Sequence, residues 1–170
     1  MRKLNAGSGP GTAHYLSDWT NVDLIKPNNG VQADLFKLPF PDNTFKEVRL
    51  IHVLEHVNRH RQVELLKEMH RVTAFLGVFY VEVPDYVASC QLIVQTARIH
   101  PVDHEKLRVL TVGMFGKQRH PGDEHRWGFT TDFLEHTLKE AGWLMFNIQE
   151  TMISGHWKAE PIILYKAVKT

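Results

Sequence analysis

At 170 residues, the chain has the length of one globular domain and is long enough to bury a substantial core. Lysine and arginine number 20 against 19 aspartates and glutamates, so the charge gives no reason to expect nucleic acid as a partner. The single cysteine, Cys90, excludes an intrachain disulfide, and we expect a cytoplasmic protein without a membrane partner because neither a long apolar run nor a signal peptide is apparent.

The first half of the chain alternates between strand and helix patterns. A glycine-rich loop at residues 5–11 follows a short apolar run and allows backbone N–H groups to approach a ligand. Its G-x-G-x-G spacing lacks the glycine or alanine that a dinucleotide fingerprint requires at the position of Thr12. Strands are predicted at residues 21–25, 31–35, 47–51 and 78–83, and helices within residues 12–19 and at 61–72.

The second half is regular mainly near its end. A helix is predicted at residues 87–99, whereas glycine and proline interrupt the pattern from there to residue 127. Asp132 and Glu135 have the spacing of a capping box, and Gly142 stands where that helix should end. Strands are predicted at residues 145–151 and 162–168, which the connection at 154–157 would pair antiparallel.

This alternation predicts an α/β fold with a doubly wound, mainly parallel sheet of the Rossmann-like type and an antiparallel last strand. Because no repeat or linker divides the chain, residues 1–170 are predicted to form a single domain. Ligands of such sheets bind beyond the carboxyl ends of the strands. Asp23 follows the second strand and is therefore well placed to accept hydrogen bonds from both hydroxyls of a ribose.

A series of short motifs occurs in order along the first half of the chain. They are NAGSG at 5–9, NVD at 21–23, ADL at 33–35, LPFPDNTF at 38–45, HVLEH at 52–56 and VPD at 83–85. In this order and spacing the chain resembles the class I S-adenosylmethionine-dependent methyltransferases of the compact type-11-like group over residues 3–85. The resemblance implies S-adenosyl-L-methionine as the cofactor and methyl transfer to a polar small-molecule acceptor.

The resemblance also implies which residues bind the cofactor. The loop would wrap the methionine part, Asp23 would hold the ribose, and the residues after the third strand would bind the adenine. One departure from the family pattern is Asn5, which stands where many relatives carry an acid. The implied cofactor residues are Asn5, Ala6, Gly7, Ser8, Gly9, Asp23, Leu24, Asp34, Leu35, His52 and Val53.

Residues 86–127 follow the fifth strand and are predicted to form a substrate lid over the cofactor's methyl group. This segment is rich in histidine and basic side chains, which suits a polar acceptor. Candidates for a general base or for positioning the acceptor are Glu55, His56 and His125. Candidates for contact with the substrate are Arg126 and Trp127.

Two other functions remain open at this point. The chain could be a non-catalytic S-adenosylmethionine-binding or interaction module that keeps the fold. A more remote alternative is a zinc hydrolase, because His52, Glu55 and His56 match the H-x-x-E-H pattern of inverted zinc proteases. That site needs both histidines on one helical face, whereas this segment follows a strand, so we predict no metal. Neither the acceptor nor the oligomeric state follows from the sequence.

Overall fold

One mixed sheet of seven strands organises the molecule, for which the computed structural model describes residues 2–9, 16–27, 29–148 and 161–170. Across the sheet the strands follow the order β3-β2-β1-β4-β5-β7-β6. The first five are parallel to their neighbours, whereas β7 is antiparallel to β5 and β6, which confirms the predicted fold class. The strands are β1 (Lys3–Ala6), β2 (Thr20–Asp23), β3 (Val31–Gln32), β4 (Phe45–Ile51), β5 (Thr73–Pro84), β6 (Met145–Ile148) and β7 (Ile162–Val168).

Four α-helices and two short 3₁₀ turns connect the described strands. The helices are α1 (Gln62–Val72), α2 (Tyr86–Ala97), α3 (His104–Phe115) and α4 (Thr131–Glu140), and the 3₁₀ turns are Leu54–His56 and Arg59–Arg61. The buried sides of α1 and α4 belong to the main core with the central strands. Residues 86–127, called the cap below, carry α2 and α3, which pack mainly against each other.

The main core is centred on β5 and the elements around it. Trp143, which follows α4, stacks on Phe79 of β5 with ring centroids 4.7 Å apart. Its indole N–H also donates to the backbone carbonyl of Leu66 in α1, at 3.3 Å. Burying a large aromatic ring whose polar atom is satisfied is strongly stabilising, so this contact ties both helices to the sheet.

Two predicted strands end earlier than expected. The strand predicted at 21–25 ends at Asp23, whose Oδ1 accepts a hydrogen bond from the backbone N–H of Ile25 at 3.0 Å. The strand predicted at 31–35 ends at Gln32, and Asp34 Oδ1 accepts from the N–H of Phe36 at 2.9 Å. In both cases a short acidic side chain satisfies the backbone two residues ahead and turns the chain out of the sheet.

The central strand β5 is longer than predicted, because it begins directly after α1 rather than at residue 78. Its register against β4 shifts between Phe45 and Glu47, and Leu76 adopts a φ of +57°. A bulge of this kind lets a strand continue although its local pattern is irregular. The predicted helix at 61–72 and the predicted strand at 162–168 are confirmed, the helix beginning one residue later.

Helix α3 lies in the region where the sequence predicted only irregular structure. It begins where Asp103 Oδ1 accepts from the N–H of Lys106 at 2.9 Å, and it continues through Gly113 before ending at Gly116. The predicted capping box of α4 is wrong, because the capping side chain is Thr130, whose Oγ1 accepts from the N–H of Phe133. The prediction that Gly142 terminates this helix is confirmed by its φ of +91°.

Some predictions fall outside the described residues. They concern most of the helix within 12–19, the end of the strand at 145–151 and the connection at 154–157. Strand β6 is described as far as Ile148 and pairs antiparallel with β7, as predicted. Among the helices that are described, none combines the length and apolar character that crossing a membrane requires.

Candidate functional site

A cavity of about 350 Å³ opens at the carboxyl ends of the parallel strands, with part of the cap over it. Asp23 is the last residue of β2 and His52 follows β4. Since β1 lies between these two strands, the backbones of the two residues are about 10 Å apart. We call the two sides of the cavity the Asp23 end and the His56 end. The cap contributes Val109, Val112 and Gly113 from α3. This volume falls within the range of small-molecule sites.

The glycine loop forms one wall of the cavity through Gly7 and Gly9. Gly7 has a φ of +77°, and a Cβ placed there would lie 2.2 Å from Val53 Cγ2. Gly9 has a φ of +71°, and a Cβ there would meet no atom within 4 Å. Glycine at position 7 therefore allows close packing inside the protein, whereas glycine at position 9 leaves space.

The backbone N–H groups of Gly7, Ser8 and Gly9, the described part of this loop beyond β1, bond within the protein. Those of Gly7 and Ser8 donate to the carbonyl of Val22 at 2.8 and 3.1 Å, and that of Gly9 donates to Asp23 Oδ2 at 2.8 Å. These three N–H groups are therefore occupied by acceptors within the protein, and their approach to a ligand stays a prediction. Their hydrogen bonds hold the loop against the end of β2.

Three of the predicted loop residues have buried side chains. Asn5, Ala6 and Ser8 are each at most 5% exposed, and Asn5 Nδ2 donates to Asn21 Oδ1 at 2.8 Å. Asn21 also bonds the backbone of Leu16, so the two amides connect β1, β2 and the segment before β2. The Asn5 amide thus makes an internal contact between β1 and β2.

The Asp23 end combines a carboxylate with apolar walls. Each oxygen of Asp23 accepts one backbone N–H, from Gly9 and from Ile25, and each keeps a lone pair for a further donor. Leu24 and Leu35 line the cavity beside it, and Leu24 is 67% exposed. Asp34, also predicted for this site, is exposed and caps its own turn at Phe36.

His52 is held between two buried carboxyl groups. Its Nδ1 lies 3.1 Å from Glu55 Oε1 and its Nε2 lies 3.2 Å from Glu82 Oε1. Burial disfavours the charged ring, but the hydrogen bonds to both glutamates outweigh it and raise the pKa of His52 from 6.5 to about 10. Burial likewise opposes ionisation of Glu55, but the hydrogen bond from His52 and the charges of the neighbouring histidines together outweigh it and lower the Glu55 pKa.

This arrangement also excludes the inverted zinc protease pattern. Both ring nitrogens of His52 are bound to carboxyl groups, so His52 does not share a metal site with His56. His52 has a φ of +52°, an uncommon conformation for a residue with a side chain, and its N–H donates to the carbonyl of Glu82. The backbone turn at the end of β4 thus directs the ring toward β5.

Glu55, His56 and His125 are brought together at the His56 end, although the last is far away in sequence. The rings of His56 and His125 are nearly perpendicular, with centroids 4.7 Å apart. The backbone carbonyl of Glu55 accepts the N–H groups of both Arg126 and Trp127, at 2.7 and 3.2 Å. These backbone bonds fix the end of the cap to the 3₁₀ turn after β4.

The two histidines differ in their surroundings. His56 Nδ1 lies 3.0 Å from the backbone carbonyl of Glu124, which can only accept, so this nitrogen carries the proton. Burial lowers the pKa of His125, although the charge of Glu55 opposes this effect. A ring with a lowered pKa is neutral at neutral pH and can accept a proton.

Arg126 and Trp127, predicted to contact substrate, line a second cavity of about 350 Å³ rather than the first. His125 lines both cavities. The Arg126 guanidinium bonds Glu124 Oε1 at 2.9 Å, and the Trp127 ring lies under the guanidinium of Arg59. These two side chains therefore flank the site.

Sequence reasoning missed Glu82 and the cavity residues of α3. Glu82 is fully buried within β5, and its signal was an acid between Val81 and Val83 in a run of apolar and aromatic residues. A charged side chain in such a strand needs a partner, which His52 provides. Val109 and Val112 carried no signal, since α3 itself was not predicted.

Comparisons with known proteins agree with this geometry. Residues 4–81 match the type-11 family model described as "Methyltransferase domain". No curated protein sequence matches the chain significantly. Among solved structures, a SAM-dependent methyltransferase from Archaeoglobus fulgidus aligns with 99% of this chain and 86% of its own, with a TM-score of 0.65 and 15% identity.

Two further solved structures have the same fold. A 1,6-didemethyltoxoflavin-N1-methyltransferase from Burkholderia thailandensis, bound to 1,6-didemethyltoxoflavin and S-adenosylhomocysteine, covers 99% of this chain and 70% of its own, at a TM-score of 0.61 and 18% identity. A possible histamine N-methyltransferase from Thermotoga maritima aligns with 99% of this chain and 82% of its own, at a TM-score of 0.60 and 14% identity. Identities this low show the fold alone. The fold and the match over residues 4–81 together identify this part of the chain as a methyltransferase domain of the type-11 group within a class I methyltransferase fold.

Proposed function

We propose that the protein transfers the methyl group of S-adenosyl-L-methionine to a polar small molecule. The observation that carries the proposal is one cavity with a carboxylate and apolar walls at the Asp23 end and two histidines with a glutamate at the His56 end. The first group suits a nucleoside and the second suits an acceptor that must be oriented or deprotonated. A methyl donor that contains adenosine places its reactive carbon between the two.

The Asp23 end fits the adenosine part of this cofactor. The lone pairs left on the Asp23 carboxylate accept hydrogen bonds from the two ribose hydroxyls, and Leu24 and Leu35 pack on the adenine ring. Asp34 lies near the adenine edge. A neutral, flat base against apolar side chains is favourable because both lose contact with water.

The glycine loop fits the methionine part. The space beside Gly9, where a Cβ would meet nothing, receives the cofactor, and Gly7 with Val53 forms the wall behind it. Asn5, Ala6 and Ser8 act from beneath, because their buried side chains support the loop. The backbone of His52 and Val53 closes the pocket at the end of β4.

At the His56 end, the protein orients the acceptor. The cofactor supplies an electrophilic methyl group on its sulfonium and becomes S-adenosylhomocysteine. Alignment for this direct displacement is worth about 7–11 kcal/mol of the barrier. Glu55, His56 and His125 hold the acceptor there or take its proton, a step that adds about 10²–10⁴-fold when the acceptor must be deprotonated.

The cap serves as the substrate lid of a single domain. Val109, Val112 and Gly113 cover the cavity from α3, and the basic side chains of Lys117 and Arg119 line its rim, which favours a polar acceptor. Arg126 and Trp127 contact a part of the acceptor that extends past His125 into the second cavity.

Calorimetric titration with S-adenosylhomocysteine tests the cofactor site. We expect the wild-type chain to bind it and Asp23→Asn to bind at least about tenfold more weakly, because the ribose hydroxyls lose a charged acceptor. Asp18→Asn is the matched control, since Asp18 is an exposed acid before β2 that does not line the cavity.

Three results would decide between the functions. Absence of binding at millimolar S-adenosylhomocysteine would contradict any role for this cofactor. Equal affinity of Asp23→Asn and Asp18→Asn would make Asp23 a structural residue. Binding of the cofactor without methyl transfer to any of a panel of polar acceptors would favour a non-catalytic cofactor-binding module.

A further inference from the structure

The cluster of Glu55, His56 and His125 has the composition of a metal site. Each residue offers one ligand atom, and these atoms all lie within 4.8 Å of one another. A tetrahedral ion with bonds of about 2.1 Å needs ligand atoms about 3.4 Å apart, so shifts of about 1 Å would close the site. The perpendicular rings of the two histidines allow their nitrogens to converge without overlap.

Both histidines have one ring nitrogen committed to a backbone carbonyl. Nδ1 of His56 donates to the carbonyl of Glu124, and the His125 ring donates to the carbonyl of Gly113. A neutral imidazole that donates through one nitrogen presents a lone pair on the other. Histidines that bind metals are oriented in this way, with the second nitrogen bonded to a carbonyl or a carboxylate.

Glu55 provides an independent sign of a missing partner. Its side chain is 1% exposed, and while Oε1 accepts from His52, Oε2 has no hydrogen-bond partner among the described residues. An unsatisfied buried carboxylate oxygen is costly. A cation bound by the Glu55 carboxylate and the two histidines would compensate this oxygen.

We propose that Glu55, His56 and His125 bind one divalent first-row transition metal ion at the His56 end of the cavity. Two imidazoles and one carboxylate are the donors of catalytic zinc sites and of other open transition-metal sites. Three protein ligands leave coordination positions for another molecule. Because the cluster lines the cavity, that molecule comes from the cavity side.

The role of the ion rests on the proposed methyl transfer. With a metal ion at this place, the acceptor is a molecule that has a hydroxyl group. The ion binds the hydroxyl oxygen and favours loss of its proton to solvent. An electron pair of this oxygen forms the new bond to the methyl carbon, while the carbon–sulfur bond breaks and its pair stays on sulfur. The products are a methyl ether, S-adenosylhomocysteine and the released proton.

The test is a calorimetric titration with Zn²⁺ of the full chain after treatment with EDTA. We expect one saturable site in the wild type, and we expect His56→Gln and His125→Gln to weaken it by at least about a hundredfold, beyond the ~10–100-fold typical of outer-shell partners. His120→Gln is the matched control, because His120 lines the same cavity outside the cluster. Its Zn²⁺ affinity should stay within about twofold of wild type, a change of about 0.4 kcal/mol.

Titration of each EDTA-treated variant with S-adenosylhomocysteine and its circular dichroism spectrum show that it is folded. If His56→Gln does not fold, the test uses His125→Gln, in which the backbone N–H of residue 125 still donates to the carbonyl of Phe115. No saturable site at millimolar Zn²⁺, or wild-type affinity in the folded variants, would overturn the metal site. S-adenosylhomocysteine binding without Zn²⁺ binding would leave the proposed function intact, whereas Zn²⁺ binding without S-adenosylhomocysteine binding would leave only the metal site.

Discussion

Residues 2–84 and the cap share one cavity, but they are packed differently. Helix α1 alone buries Leu65, Leu66, Met69 and Val72 against the sheet. Helices α2 and α3 together bury only Ser89, Thr96, Leu110 and Gly113. Regions with few buried apolar side chains open at a lower free energy than the core. The part that contains the parallel strands is therefore firmly packed, and we expect the cap to open separately.

The largest expected effect compares a core residue with a cap residue. Phe79→Ala should lower the free energy of unfolding by about 3–5 kcal/mol, because a fully buried ring is lost. Leu110→Ala should lower it by less than about 2 kcal/mol, the bottom of the usual range, since the cap opens before the sheet unfolds. Urea unfolding measures both. Equal losses would contradict separate opening of the cap.

A second comparison uses two glycines of the same loop. Gly7→Ala should cost about 2–4 kcal/mol, since it combines a positive φ with a collision against Val53. Gly9→Ala should cost only about 1 kcal/mol of stability. It should nevertheless weaken S-adenosylhomocysteine binding, because the new methyl group enters the space proposed for the cofactor. Thermal unfolding measures the loss of stability, and calorimetry measures the affinity for S-adenosylhomocysteine. Similar stability losses in the two variants would contradict the different surroundings of Gly7 and Gly9.

The third prediction concerns the pH dependence of the firmly packed part. The folded pKa of His52, about 10, exceeds the ordinary 6.5, so its ion pairs with Glu55 and Glu82 stabilise the protein fully below pH 6.5. That contribution should disappear as the pH rises from 6.5 through about 10, since the unfolded chain loses the proton first. Urea unfolding of the EDTA-treated protein should show that the free energy of unfolding declines over this pH range. The decline with pH should be smaller for His52→Gln. Identical slopes would exclude His52 as the source.

The smallest expected effect compares two helix caps. Thr130→Ala removes the side chain that accepts from Phe133 at the start of α4, and it should cost about 1 kcal/mol of global stability. Asp103→Ala removes the equivalent acceptor of α3 and should cost less than about 0.5 kcal/mol in the same urea experiment, if the cap opens first. Amide hydrogen exchange of α3 should increase instead.

The same contrast explains what the sequence could predict. Strands such as β7 and the helix α1 have continuous or periodic apolar patterns, because they pack on one large core. Helix α3 has a weak pattern because only Leu110 and Gly113 are buried, and its internal glycine resembles a break. Its residues line a cavity, and a cavity imposes no periodicity on the sequence.

The sequence predicted individual residues of the candidate site, but not how these residues come together in space. Asp23 ends β2 and the glycine loop directly follows β1, so their position at the carboxyl ends of the strands follows from the topology. The position of His125 against His56 depends on backbone bonds from Arg126 and Trp127 to the carbonyl of Glu55. Any residue except proline can donate such bonds, so they leave almost no trace in the side-chain pattern.

Those two bonds to the Glu55 carbonyl also make the cap modular. His125 is positioned by the turn after β4 and by the carbonyl of Phe115, not by the path that the chain takes through α2. The chain between residues 86 and 103 can therefore be exchanged for a longer or differently shaped segment while the His56 end, including the contact of His125 with Gly113, stays assembled. In an engineered chain, the lining of the cavity could thus be altered in the cap without rebuilding the cluster of Glu55, His56 and His125.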